Sequence, residues 1–310
     1  MGRLLTILII ASTLLLQPHF SFCQEEFTPK LLYNISGYEG AGTFQQIYSL
    51  QVDWDFERII ILNGAPLKIS VFSLLNGAPL LDIVVFKDAK PPYSAFGCGR
   101  FVYFSHAEGI ERFGEDGNQD KWKAPAAFPK GADKIACGRG GDMAFLLRKS
   151  NVVDKYDMDG KLQFSVHPKD SERRERREPE IISIADICIG PGGGLYVADA
   201  GAGVVHRYDA NGKYTGTTGG DRELAKTRID DPQLVAVDSA RNVWIYDGGG
   251  SKVKVFDSFG FHLGEWDAIA DDGTQDFISP AALFVDRYDH LFMFDEGTMQ
   301  ILVFDVRDVF

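Results

Sequence analysis

A unit of four short segments recurs three times in the second half of the chain. The unit at Ala185–Gly220 returns at Gln233–Trp266 and again at Ala281–Asp308, and matching aspartates are spaced by 48 residues. Within each unit apolar residues alternate with others, as they do in β-strands, and glycine-rich turns separate the segments. A period in the forties with four strands per unit predicts the blades of a β-propeller.

The first half of the chain carries weaker copies of the same unit. The turn Tyr208–Gly212 is matched well by Tyr156–Gly160, and less closely by Phe113–Gly117 and Phe72–Gly77. One such turn per blade places marks at positions 73, 114, 157, 209, 257 and 305. Six marks predict an all-β fold, a six-bladed β-propeller of four-stranded blades that spans residues 24–310 as one domain.

The two ends of the chain suggest how the ring closes. The last unit stops after its third strand, Ile301–Asp305, which would leave an unpaired edge. The stretch Phe27–Ser36 precedes the first unit and belongs to no blade of its own. We therefore expect this N-terminal stretch to form the outer strand of the last blade and to close the ring.

The strings LYVADAGAGVVHRYDANGKY and VWIYDGGGSKVKVFDSFG resemble the NHL repeat, with its V-A-D, F-D and G positions in order. The Trp-Asp and Gly-His signatures of WD40 repeats are missing, so that class is disfavoured. The close match covers residues 185–308. The resemblance implies a six-bladed NHL-like propeller; the three-histidine metal site of the amidating lyase does not assemble here, because only His106 falls at a channel position.

The N-terminal residues resemble an export signal. Arg3 precedes an apolar run of 13 residues, Leu4 to Leu16, which is shorter than the roughly 20 residues that span a bilayer. Cleavage before Gln24 would remove residues 1–23, and a lipidated Cys23 is the alternative. The sequence thus predicts a secreted or periplasmic protein without a transmembrane segment.

The charge of the chain limits its partners. Lys and Arg number 32 against 44 Asp and Glu, a net charge of −12, whereas phosphate backbones require a basic surface. We therefore expect a monomer that binds a protein or a small molecule, and no nucleic acid. A charged loop insertion at 169–180 is either a solvated connection or a docking arm.

Three cysteines remain beyond the leader, at 98, 137 and 188, and they align at one repeat position where another blade has Ala236. Their odd number argues against a disulfide framework. We expect buried, unbridged thiols that pack like alanine; a cluster of soft metal ligands is the other interpretation.

Candidate functional residues lie where the second strands end, on the face that propellers commonly use for ligands. Alignment of the units places six residues there: Asn63, His106, Arg148, Asp199, Asp247 and Asp295. They could form a polar ligand site with an acidic wall. Alternatively, the aspartates accept backbone N–H groups and fix the turns.

Asp186 is the most distinctive candidate, because the sister units carry Leu234 and Ala282 at this position near the channel mouth. If it serves a ligand, its replacement by alanine should spare the fold. The sequence predicts a non-catalytic recognition propeller that uses the channel face. The alternative is a lyase or hydrolase assisted by a divalent metal in the channel mouth. No catalytic or metal-binding residue is assigned.

Overall fold

The computed structural model describes residues 29–38, 42–44, 46–53, 55–64, 67–84, 89–167, 180–220, 227–268 and 275–307. The predicted export signal and almost all of the charged loop 169–180 lie outside these residues. No helix within the described ranges is both long and apolar enough to cross a bilayer.

Six antiparallel sheets surround a central channel, which confirms the predicted all-β, six-bladed propeller. The chain begins with β1 (Lys30–Ile35) and a small hairpin of β2 (Gly37–Tyr38) and β3 (Gly42–Thr43). Blade one contains β4 (Ile47–Asp53), β5 (Arg58–Gly64), β6 (Leu67–Ser73) and β7 (Pro79–Val84). Blade two contains β8 (Ser94–Cys98), β9 (Phe101–His106) and β10 (Gly109–Phe113).

The remaining blades each have four strands, counting β1 in the last. Blade three contains β11 (Lys134–Cys137), β12 (Met143–Leu147), a 3₁₀ turn at Arg148–Ser150, β13 (Val152–Tyr156) and β14 (Leu162–Val166). Blade four contains β15 (Ile184–Ile189), β16 (Leu195–Asp199), β17 (Val204–Tyr208) and β18 (Tyr214–Thr218). Blade five contains β19 (Pro232–Val237), β20 (Val243–Asp247), β21 (Lys252–Phe256) and β22 (His262–Asp267). Blade six contains β23 (Pro280–Val285), β24 (His290–Asp295) and β25 (Gln300–Asp305).

Blade two differs from the prediction, because its sheet has three strands rather than four. The chain after β10 turns back and pairs with it through a single antiparallel bridge, between Phe113 and Gln119. Arg112 lies between the rings of Phe101 and Trp122 and forms an ion pair with Asp120 at 2.5 Å. Prolines at 125 and 129 disfavour a strand in this segment, since proline cannot donate to a ladder.

The predicted ring closure is present. β1 pairs antiparallel with β25, with Lys30 opposite Asp305 and Ile35 opposite Ile301. Ile35 is buried in the same cluster as Ile301 and Phe72, so the closing strand joins blade six to blade one. The two ends of the chain therefore belong to one cooperative unit.

The strand directions define two faces. The innermost strands (β4, β8, β11, β15, β19 and β23) contact one another in sequence around the channel, and β23 contacts β4. We call the face where these strands begin the upper face and the face where they end the lower face. Turns between second and third strands therefore lie on the upper face, whereas turns after first and third strands lie on the lower face.

Candidate ligand-binding site in the channel

The channel opens on the upper face into a cavity of about 190 Å³. Polar groups and apolar walls both contribute to it, as in most small-molecule sites. Its polar side includes Ser49, Gln51, Asp133, Lys134, Arg148 and Asp186. Its apolar side includes Ile47, Leu234, Ala282, Phe284 and Phe294.

Asp186 is buried, with 1% of its surface exposed, and it forms an ion pair across two blades. Its Oδ1 lies 2.5 Å from Lys134 Nζ of blade three, and its Oδ2 accepts the Val235 N–H of blade five at 3.1 Å. A buried carboxylate requires such partners. The Lys134 ammonium also lies 5.2 Å from the centre of the Phe284 ring.

Arg148 lies at the rim of the same cavity and is exposed. Its guanidinium donates to the Ala185 carbonyl at 2.8 Å, and its backbone N–H donates to Asp133 Oδ2 at 2.8 Å. A guanidinium has five donors, so the bond to Ala185 leaves capacity for a ligand carboxylate.

Gln51 and Phe284 form the floor of the upper cavity. Both residues also line a smaller cavity of about 60 Å³ at the lower end of the channel. Gln51 is 6% exposed, and its Oε1 is buried without a hydrogen-bond partner. An unsatisfied buried acceptor is costly, so a rotation of the Gln51 amide toward a donor in the cavity would be favoured.

The three predicted aspartates are buried and hold turns instead of lining the upper cavity. Asp199 accepts the N–H groups of Ile182 and Ser183, both at 2.8 Å. The equivalent bonds run to Asp247 from Asp230 and Asp231, and to Asp295 from Ile278 and Ser279. These contacts match the structural interpretation of the aspartates, in which each fixes the chain before an inner strand.

Each turn aspartate has a further partner. His206 Nε2 lies 3.2 Å from Asp199 Oδ2, Lys254 Nζ lies 3.1 Å from Asp247 Oδ2, and the Thr298 hydroxyl donates to Asp295. Burial alone would raise the pKa of Asp199, but the hydrogen bonds from His206 and the two backbone amides outweigh it and lower that pKa.

Asn63, next to the last residue of β5, and His106, the last residue of β9, do not line the upper cavity. Asn63 is 1% exposed. His106 stacks on Phe104 at 5.3 Å, accepts the Glu108 N–H at Nδ1, and lies 3.6 Å from Glu111. Burial lowers the pKa of His106. Of the seven predicted site residues, the cavity brings together Asp186 and Arg148.

The prediction of three unbridged cysteines is wrong. Cys98 and Cys137 form a disulfide with their Cα atoms 6.0 Å apart, a usual separation for such a bond. Cys188 is the free thiol among the described residues, and burial raises its pKa to about 12. All three cysteines line the lower end of the channel.

The pairing register explains this error. Cys137 pairs with Met143, the first residue of β12, whereas Cys188 pairs with Tyr196, the second residue of β16. The two cysteines are therefore one position apart in the repeat, and neighbouring residues of a strand point to opposite faces. Cys137 points back to Cys98 of blade two, whereas Cys188 points forward to blade five.

The same shift hid Lys134 from the sequence alignment. Alignment on the cysteines places Lys134 opposite Ala185, but the register places it opposite Asp186, since their partners Leu146 and Ala198 are equivalent. A corrected register would have revealed a lysine and an aspartate at the same position of consecutive blades. Gln51 and Phe284 carried no sequence signal of this kind.

The lower end of the channel is tightly packed. Asp53 forms an ion pair with Arg58 at 2.5 Å, yet burial raises the pKa of Asp53 despite this partner. A Cβ atom at Gly97 would lie 2.5 Å from Asp53 Oδ2, so only glycine fits there. The described residues contain no group of three or more His, Cys, Asp or Glu side chains that could hold a metal ion.

The sequence matches no protein-family model, and comparison with curated proteins finds no relative. Solved structures do match. A streptogramin B lyase aligns with a TM-score of 0.58 and 15% identity over 88% of this chain and 97% of that one. The inactive H270A virginiamycin B lyase from Staphylococcus aureus with quinupristin aligns with a TM-score of 0.54 and 15% identity. This alignment covers 84% of this chain and 80% of that one. The selenomethionine form of that lyase gives a TM-score of 0.55.

The chain shares the fold of these lyases. At 15% identity the likeness concerns the β-propeller fold alone. Membership of the NHL family stays a prediction from the repeat.

Proposed function

We propose that the protein is an exported, non-catalytic recognition propeller that binds a small carboxylate ligand in the upper cavity. The observation that carries the proposal is the convergence of Lys134, Arg148 and Gln51 on one cavity with an apolar wall. Lys134 and Arg148 offer donors to a carboxylate, and a rotation of the Gln51 amide would turn its unpaired Oε1 to a ligand N–H. Phe284 and Leu234 would cover an apolar side chain.

These three features together favour an acylated amino acid or the C-terminal residue of a peptide. Such a ligand carries a carboxylate, an amide N–H and a side chain in close succession. Asp186 contributes indirectly, because its bond to Lys134 holds the ammonium at the cavity wall. Asp186 is thus a positioning residue in this proposal, and Arg148 is a direct contact.

The proposal is tested with N-acetylphenylalanine as the probe, by isothermal calorimetry on the full chain. Arg148→Ala should weaken binding about tenfold or more, since a charge-assisted bond to the carboxylate is lost. Lys149→Ala is the matched control, because Lys149 is an exposed cation on the same 3₁₀ turn that does not line the cavity. Equal loss in both variants, or equal binding of N-acetylphenylalanine amide, would contradict the proposal.

A metal-assisted lyase remains the second candidate, favoured by the fold shared with the streptogramin B and virginiamycin B lyases. In the S. aureus enzyme a single histidine substitution accompanies inactivity. None of the five described histidines of this chain lines the upper or the lower cavity. Incubation with quinupristin and a divalent metal, followed by mass spectrometry, separates the two candidates: a converted product supports a lyase, and intact quinupristin supports recognition.

A further inference from the structure

The large apolar side chains that are exposed lie mainly on one face of the propeller. Among the described residues three are on the upper face: Tyr48, Ile182 and Ile278. The other ten are on the lower face or at the lower ends of outer strands: Leu31, Leu32, Phe56, Leu75, Leu80, Met158, Leu162, Phe259, Phe261 and Tyr288. Single exposed apolar residues are ordinary, but the excess on one side makes the lower face the candidate interaction surface.

The apolar residues of the lower face concentrate in the outer hairpins of alternate blades. Each hairpin joins a third strand to a fourth, and the hairpins of blades one, three and five each carry an exposed pair: Leu75 with Leu80, Met158 with Leu162, and Phe259 with Phe261. The corresponding turns of blades two and four present polar side chains instead, namely Asp116, Asn118, Asn211 and Lys213. The ring thus holds three apolar hairpins at the perimeter of one face. Polar turns separate those of blades one and three and those of blades three and five, whereas blade six carries the exposed Leu31 and Leu32 of β1.

The turn chemistry fixes the most exposed pair in place. Asp257 Oδ1 accepts the N–H groups of Phe259 at 2.9 Å and Phe261 at 2.8 Å. The carboxylate is therefore occupied within the turn, while the two rings project with 79% and 71% of their surfaces exposed. The same bonds form at Asp209, but there the donors belong to Asn211 and Lys213. Both hairpins have the same backbone hydrogen bonds, so the turn itself does not require aromatic residues at positions 259 and 261.

The chain also enters the propeller at this face. β1 begins at Lys30, opposite Asp305, where β25 reaches the lower face. The 29 residues before Lys30 include the apolar run of the leader and Cys23. The exposed Leu31 and Leu32 of β1 therefore lie at the same end of the propeller as the apolar hairpins.

We propose that the lower face lies on a lipid bilayer with neutral headgroups, into which the hairpins of blades one, three and five insert their tips. A fluid bilayer accepts three separate apolar points, whereas a protein interface normally needs one continuous apolar core. The net charge of −12 argues against adsorption to anionic lipid by charge alone. In this orientation the upper cavity faces water. The proposal does not depend on the ligand proposed for that cavity.

The test is flotation of the full chain with phosphatidylcholine vesicles. The double variant Phe259→Ser with Phe261→Ser should reduce the partition coefficient about tenfold or more, since two large apolar side chains no longer enter the bilayer. The control variant Ile182→Ser with Ile278→Ser removes exposed apolar side chains from the upper face and should bind as the wild type does. Thermal unfolding of each variant checks that the fold is retained. Binding should change little between low and high salt.

Three outcomes would overturn the proposal. The first is wild-type protein that does not float with the vesicles, and the second is a Phe259/Phe261 variant that floats as well as the wild type. The third is a wild-type dimer, detected by sedimentation, that the Phe259/Phe261 substitutions dissociate, without vesicle binding by either protein. The occupant of the lower face would then be a second copy of the chain.

Discussion

The Asp186 carboxylate and the Lys134 ammonium lie 2.5 Å apart in the upper channel, on neighbouring blades. The second oxygen of Asp186 accepts the Val235 N–H of the next blade. One carboxylate therefore joins three consecutive inner strands, β11, β15 and β19. Because of this pairing, we expect the loss of Asp186 to lower the stability of the fold.

Asp186→Ala should destabilise the protein by about 3 kcal/mol, because it leaves a largely buried ammonium and a backbone N–H without their partner. The sequence alone led to the opposite expectation, that this substitution would spare the fold. Urea unfolding provides the measurement. The double variant Lys134→Met with Asp186→Leu should recover most of the loss, since no unpaired charge remains. An Asp186→Ala protein as stable as the wild type would contradict the pairing.

Asp199 should contribute stability that disappears in acid. Its pKa in the folded protein is lowered, whereas an unfolded aspartate titrates near 3.9. The contribution is therefore complete above about pH 5 and is lost as the pH falls through the lowered folded pKa. The difference in unfolding free energy between wild type and Asp199→Asn should accordingly shrink between about pH 5 and pH 3.

Asp238 provides a control of opposite sign. Burial raises its pKa, although Trp244 and Asn242 donate to the carboxylate. The folded protein therefore takes up this proton before the unfolded chain does, so acidification through that pKa adds stability from this group. The measured quantity is the unfolding free energy of the wild type minus that of the variant. If this difference decreases on acidification for both Asp199→Asn and Asp238→Asn, the assignment is contradicted.

The repeat in the sequence was sufficient to predict six blades and the closing strand, because strand alternation and turn residues are local signals. The fourth strand of blade two is reduced to one bridge, between Phe113 and Gln119, and the packing of Trp122 against Tyr103 beyond it depends on tertiary contacts. The candidate site was harder to predict from the sequence than the fold. Whether Asp199 or Asp186 faces the cavity depends on side-chain direction, and a one-residue error in register exchanges the two faces of a strand. That error concealed both the Cys98–Cys137 bridge and the partner of Asp186.

The disulfide should be detectable without reduction as a cross-link between the peptides that contain Cys98 and Cys137. Cys98 and Cys137 are 39 residues apart in the sequence. In the entropic model, a cross-link that closes a loop of that length raises the free energy of the unfolded chain by about 4 kcal/mol. Cys98→Ser with Cys137→Ser should lower stability by up to that amount. Cys188 should alkylate slowly at neutral pH, since its pKa is about 12. Rapid alkylation of Cys98 in the unreduced native protein would contradict the bridge.

The closing strand should stabilise the whole ring. Ile35→Asp places a charge in the cluster that joins blades six and one, and should lower the melting temperature of a single cooperative transition. Asn34→Asp is the matched control, because Asn34 is an exposed neighbour in the same strand. A biphasic melt, in which blade six separates while the rest stays folded, would show that closure is not cooperative.

Hydrogen exchange by mass spectrometry with N-acetylphenylalanine tests the recognition site most directly. The account predicts slower exchange at the upper ends of the inner strands, at residues 47–51 and 133–135, and around Asp186, all of which line the upper cavity. Exchange at residues 97–99 and 187–191, at the lower end of the channel, should stay unchanged. Arg148→Ala should abolish the protection at the same probe concentration. Protection that appears at the lower end, or that persists in Arg148→Ala, would contradict the account.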